Sequence, residues 1–325
     1  MGVCNEVYKS DSALRRFLDE RLPARHQVAD EWSLVVGRSR RQPVRLGMCG
    51  DYAAIGTALE MRIGLDLASK PAYLPVLRSL TAERCEKLLR VAGFDRIAPE
   101  WQMPDMTEPT ILSWTRVKHP TVVDDDQIEA LLACYAAAAD ERIARVCRHE
   151  STEIQRRIAV RGLNGGGRQR HPDHDREVTR AMTPLWQAYL DVGRSSLSDL
   201  GELSLVQIEL AAGYAVADLL IGTTLVEVKN YGDPAAEMRA VLDQVLTYAL
   251  LNRWRPHLAI DTVAAYFGWH AVTVSVQLDD LLNVSSPGPT PGLHEISSDL
   301  RQAIANDLED ARYWHECDEL SRRRV

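Results

Sequence analysis

Residues 217–230 read ADLLIGTTLVEVKN. Two apolar runs flank Gly222, Thr223 and Thr224, a short glycine-containing connection that predicts a β-hairpin with strands over 214–221 and 225–228. The period of two along a strand sets Glu227 and Lys229 side by side with Leu225, while Val226 and Val228 face the other way. If the turn pairs the strands regularly, Asp218 lies across from this pair; a one-residue slip turns it away. Two carboxylates and an ammonium on one strand face are costly to bury unless something holds them together.

A divalent cation would do so. Asp218 and Glu227 offer hard oxygen ligands for Mg²⁺, with Mn²⁺ as a substitute. Such an ion polarises a phosphate and activates a water. Lys229 is suited to hold that water and to offset charge in the transition state. The competing reading is a surface-facing salt bridge between Lys229 and one of the carboxylates.

The surroundings of the hairpin bear on that choice. A strand is expected over 203–210, before it. After it, residues 235–254 read as a helix with Met238, Val241, Leu242, Val245 and Ala249 on its apolar face. Gln244 and Tyr248 fall four residues apart, adjacent on one edge of that helix. A further apolar strand follows at 261–269. Upstream, a helix over 52–69 carries Glu60 between Gly56 and Gly64 on one stripe. Glycine inside a helix costs roughly 1 kcal/mol against alanine, so two of them want a reason. Small residues beside Glu60 would let the helix approach a sheet and turn the carboxylate inward; otherwise Glu60 faces solvent.

Strand, strand with Asp218, strand with Glu227 and Lys229, helix with Gln244 and Tyr248, strand: this order resembles the PD-(D/E)xK nuclease superfamily, and within it a bacterial group of undefined role. The resemblance covers the expected sheet and helix from Leu203 onward, together with the helix around Glu60; Ala217 stands where the motif's name has proline. It implies an α/β fold with a small central mixed sheet flanked by helices and a large helical insertion. It also implies an Mg²⁺-dependent nuclease whose metal is held by Asp218, Glu227 and Glu60. Lys229 would then assist the water, and Gln244 and Tyr248 would contact substrate or orient Lys229. The expected partner is nucleic acid, DNA first, in defence against foreign DNA or in repair. A homo-oligomer or a defence-system protein is a further expected partner. The alternatives are a non-catalytic member of that fold serving as a binding or assembly module, and a helical interaction protein with an incidental sheet.

The rest of the chain sets limits. Its 325 residues divide into an N-terminal segment with the first core helix (1–69), a helical insertion (70–200), the sheet and its helix (201–285) and a helical tail (286–325). A net charge of −8 repels nucleic acid at long range, so any phosphate contact must come from a local patch. Candidates are Arg62, Arg161, Arg168, Arg170 and Arg176, each of which also reads as an ordinary surface arginine. The six cysteines include no C-x-x-C pair, which predicts neither a zinc site nor a disulfide framework. The N-terminus lacks the apolar run of a signal peptide and no segment reaches the length of a membrane span, so the expected location is cytoplasmic. Segment 93–123 reads as loop, and helix is expected over 124–161. The break at 164–175 holds His171, Asp173, His174 and Asp175, read as solvated loop residues rather than a metal site. A helix over 176–192 follows.

Overall fold

The computed structural model describes residues 3–39, 41, 52–71, 77, 82–96, 114–149, 172–211, 214–252, 258–286, 288, 292–310 and 312–313, with the backbone alone at 82, 139–149 and 172–174. These residues form two compact units, 43–195 and a second composed of 1–42 with 196–325. Both are mixed or helical layers around a buried core, and together they give an α/β chain with a five-stranded mixed sheet and a two-stranded one. Among the described residues no helix is long and apolar enough to cross a membrane.

The unit 43–195 is built on helices Tyr52–Leu67, Ala82–Val91, Asp125–His149 and Pro172–Ala188. The first packs against the last two. Between Ala82–Val91 and Asp125–His149, β1 (Phe94–Arg96) pairs antiparallel with β2 (Trp114–Arg116), so the loop expected over 93–123 contains a small sheet. Gly93 makes the entry to it, with a left-handed φ of 93°. A Cβ there would collide with the Lys118 carbonyl oxygen, so only glycine serves. The expected polar break also ends earlier than 175, because the helix begins at Pro172, and proline suits a first helical turn. His171, Arg161, Arg168 and Arg170, and the side chains of Asp173 and His174, lie outside the described residues. Arg176 is exposed on that helix.

Arg62 corrects an expectation. It is neither a surface residue nor a phosphate contact: it is fully buried, its guanidinium 4.3 Å from the centre of the Trp186 ring and its Nη2 donating to Gln127 Oε1 at 2.7 Å. A stacked planar cation accounts for an arginine in a core where lysine would not serve.

In the other unit the sheet runs β3 (Leu203–Leu210), β4 (Ala215–Ile221), β5 (Thr224–Lys229), β6 (Thr262–Phe267), β7 (Val272–Gln277), in that spatial order. All neighbours are antiparallel except β5 and β6, which run parallel, with helix Pro234–Asn252 connecting them. A parallel pair needs such a crossover. Gly222 has a φ of 56°. A positive φ is what the first position of a two-residue hairpin loop requires. A Cβ on Gly222 would also meet the Leu200 carbonyl oxygen at 2.9 Å. Helix Pro234–Asn252 starts with Asp233 Oδ1 accepting from Ala235 N at 3.2 Å, the bond of an N-terminal cap. From Val241 to Asn252 every residue is buried, so the helix is the spine of this unit rather than an amphipathic cover. Its Met238, Val241, Leu242 and Val245 share one core with Leu225 of β5 and Val263, Ala265 and Phe267 of β6.

The N-terminal residues belong to this unit. Helix Ala13–Arg21 is capped by Ser12, whose hydroxyl accepts from Arg15 N at 3.0 Å, as such caps do. Arg15 donates to Asp243 Oδ2 at 2.7 Å. Arg25, itself buried, holds both Asp243 oxygens and Asp19. A buried carboxylate with two guanidinium partners is satisfied, and it fastens residues 13–25 to the central helix.

Candidate functional site

The site lies on β5. Glu227 and Lys229 share one strand face, as alternation requires, and Lys229 Nζ lies 2.8 Å from Glu227 Oε1. The two side chains are largely buried, Lys229 14% and Glu227 5% exposed, so this is not the surface salt bridge that a hairpin rim would carry. The second carboxylate oxygen, Glu227 Oε2, is buried and has no hydrogen-bond partner.

Asp218 joins them through a break in the sheet. The β4–β5 ladder stops at Leu219↔Val226, one residue short of setting Asp218 opposite Glu227. Asp218 Oδ2 instead accepts from the backbone N–H of Val228 at 2.7 Å. On the other side, Gln207 stands opposite Asp218 in the β3–β4 register but has a φ of 49° and makes no ladder pair. Ala215 and Ala217 face the same core as Leu220 and Leu225, so β4 turns over at Asp218. The distortion puts the carboxylate in the seam between strands, where its charge acts on Lys229.

Helix Pro234–Asn252 supplies the opposite wall. Gln244 Nε2 lies 2.7 Å from Glu227 Oε1, 2.7 Å from the Tyr248 hydroxyl and 3.2 Å from Cys4 Sγ. An amide nitrogen has two protons, so two of these three are donated to at once. The Tyr248 hydroxyl is also 3.2 Å from Cys4 Sγ. Helical spacing sets Gln244 beside Tyr248, and the structure brings Gln244 to Glu227 directly and Tyr248 to it through Gln244. That spacing gives no sign of Cys4, on helix Val3–Glu6, or of Tyr231, two residues past Lys229. Nothing in the local pattern around Cys4 points 240 residues ahead to Gln244.

The electrostatics follow from this packing. Burial alone would lower the Lys229 pKa, but Glu227 first, then Tyr231, Asp218 and Cys4, hold it above the ordinary lysine value. Tyr248 is held well above the ordinary phenol value, by burial first and then by Glu227 and Cys4, against the hydrogen bond from Gln244. At neutral pH Lys229 is an ammonium and Tyr248 a neutral phenol.

Glu60 is half-buried on helix Tyr52–Leu67, in the unit 43–195, and is not among the residues that the sheet unit brings together. Among the described residues no three His, Cys, Asp or Glu side chains converge as a ready-made metal cluster. No family model, characterised protein or solved structure matches the chain.

Proposed function

We propose that the chain is a metal-dependent nuclease that hydrolyses phosphodiester bonds of nucleic acid, DNA first, with a core of the PD-(D/E)xK type. The observation that carries this reading is the uneven treatment of Glu227. One of its oxygens takes Lys229 and Gln244, and the other is buried and bare. A buried anionic oxygen without a partner is costly, and a cation on it removes the cost.

Asp218 would share that cation. Both donors are hard oxygens, and one or two carboxylates are the usual protein share of an Mg²⁺ site, waters and substrate phosphate completing it; Mn²⁺ would substitute. When bound, the ion would polarise a phosphate oxygen and lower the pKa of a water.

The chain's own groups have separable tasks. Lys229 stays protonated, so it serves as a fixed positive charge against the negative charge that gathers on the phosphate oxygens, and not as the base. Gln244 orients Glu227 through one N–H and leans on Tyr248 through the other. Asp218 is oriented by the Val228 N–H. The setting we infer is defence against foreign DNA or repair.

The test is a cleavage assay with Mg²⁺ or Mn²⁺ on plasmid, linear duplex, single-stranded DNA and RNA, with a chelator and Lys229→Ala as controls. Cleavage that needs the metal and Lys229 is the expected result. No cleavage of any substrate with either metal would overturn the reading.

A further inference from the structure

The N-terminal segment makes a wall of this site that the chemistry above does not use. Helix Val3–Glu6 is tied to the sheet unit by Val3 N, which donates to the Tyr214 carbonyl at 3.0 Å, and it carries Cys4 to Tyr248 and Gln244. Two residues past this helix, the Tyr8 hydroxyl meets the Tyr231 hydroxyl at 3.1 Å. Tyr231 follows Lys229 by two positions and acts on its ammonium. Tyr8 is nevertheless 54% exposed, a large aromatic ring fastened at its hydroxyl end with much of its surface in water.

A ring held at one end by Tyr231, the neighbour whose charge acts on the buried Lys229 ammonium, and open elsewhere suits one kind of substrate. Every base offers a π face, and stacking on an aromatic side chain is how unpaired bases are held without regard to sequence. Bases inside a duplex are already stacked and cannot use the ring. We propose that Tyr8, braced by Tyr231, is a stacking platform for an unpaired base beside the scissile phosphate, so that the substrate is single-stranded DNA. The inference rests on the nuclease reading and narrows it.

Steady-state cleavage in Mg²⁺ separates the two. The substrates are a labelled single-stranded DNA 12-mer and the matched duplex, and the proteins are the full chain, Tyr8→Phe and Tyr8→Ala. Tyr8→Ala should raise KM for the single strand by roughly five- to a hundredfold, the span that base-on-aromatic stacking supplies per base. Its kcat should change far less than its KM, and Tyr8→Phe, which keeps the ring but loses the Tyr231 brace, should raise KM by less than Tyr8→Ala does. Tyr8→Leu replaces Tyr8→Ala if the latter melts early. The proposal fails if Tyr8→Ala cuts the single strand with the parent's KM, or if Tyr8→Phe loses as much as Tyr8→Ala. It fails also if KM rises equally for duplex, or if the parent cuts duplex alone. If the parent cuts neither substrate with Mg²⁺ or Mn²⁺, the nuclease reading falls and takes this inference with it.

Discussion

Gln244 Nε2 stands 2.7 Å from Glu227 Oε1, so one amide fastens the central helix of the sheet unit to the charged position of β5. Hydrogen bonds to a charged partner contribute about 1.5–3 kcal/mol. Gln244→Leu removes this bond and the one to Tyr248 while keeping comparable bulk. Its urea midpoint should fall by an amount equivalent to about 2 kcal/mol, and any cleavage activity should drop at least about tenfold because Glu227 loses its orientation. Unchanged stability would mean that the amide is incidental.

Lys229→Met tests the buried pair itself. Breaking such a pair from one side costs about 3–5 kcal/mol, because the remaining charge is left uncompensated. Folding therefore suffers along with catalysis, where loss of the fixed charge should cost two to three decades in rate, roughly 3–4 kcal/mol. The sign of the pH response distinguishes the cause. In the parent, the Lys229 pKa is raised above 10.5. Its stabilisation is therefore fully present below that value and is lost only as pH climbs through the higher, folded one. Lys229→Met lacks that contribution, so its deficit relative to the parent should shrink as pH climbs from about 9 to about 12. Thermal melts of both proteins across that range measure it. A deficit independent of pH would place the loss in packing.

What was legible in the sequence was what has a short period. Alternation along β5 put Glu227 beside Lys229, and a four-residue helical spacing put Gln244 beside Tyr248. The glycine-containing connection marked the hairpin but not its register: Thr224, read as part of the turn, belongs to β5 and pairs with Ile221. Contacts between distant segments carry no such period. Cys4 reaches Gln244, and Arg25 reaches Asp243, through tertiary packing alone. Arg62 reads as a surface residue by type, and its burial is explained by the Trp186 ring, Gln127 and the charge of Asp66, none of which the local pattern announces. The turnover of β4 was invisible for another reason: a regular strand pattern gives no sign that Gln207 adopts a left-handed φ opposite Asp218.

That φ of 49° gives the third prediction. A side chain in the left-handed region costs about 1–2 kcal/mol, which glycine avoids at some expense in chain entropy. Gln207→Gly should raise stability by up to about 1 kcal/mol, with cleavage unaffected if the backbone shape is all that matters there. A stable variant that no longer cuts would show that the Gln207 side chain itself serves Asp218, and activity beside urea melts decides between them.

The helical unit has its own buried acid, and its pH response runs the opposite way from that of Lys229. Asp66 is fully buried. Its Oδ2 accepts from Arg194 Nε at 2.7 Å and from the Tyr189 hydroxyl at 2.8 Å, and its Oδ1 accepts from Arg194 Nη2 at 3.1 Å. Burial alone would raise its pKa, but His119, Arg62 and Arg194 outweigh it and bring the carboxyl down to about 2. A depressed carboxyl stabilises the fold above its unfolded value, here 3.8, and that stabilisation is lost as pH falls through the folded one. The helical unit should therefore lose about 2 kcal/mol between about pH 4 and pH 2, by the linkage of proton binding to folding. Asp66→Asn keeps the shape and removes the titration. It should be weaker than the parent at neutral pH, because the Arg194 guanidinium is left without a counter-charge, yet flatter across the acid window. Urea midpoints of parent and variant at pH 5, 4, 3 and 2 make the comparison. If the two fall in parallel below about pH 4, the acid sensitivity belongs to other carboxylates and the network around Asp66 is not its source.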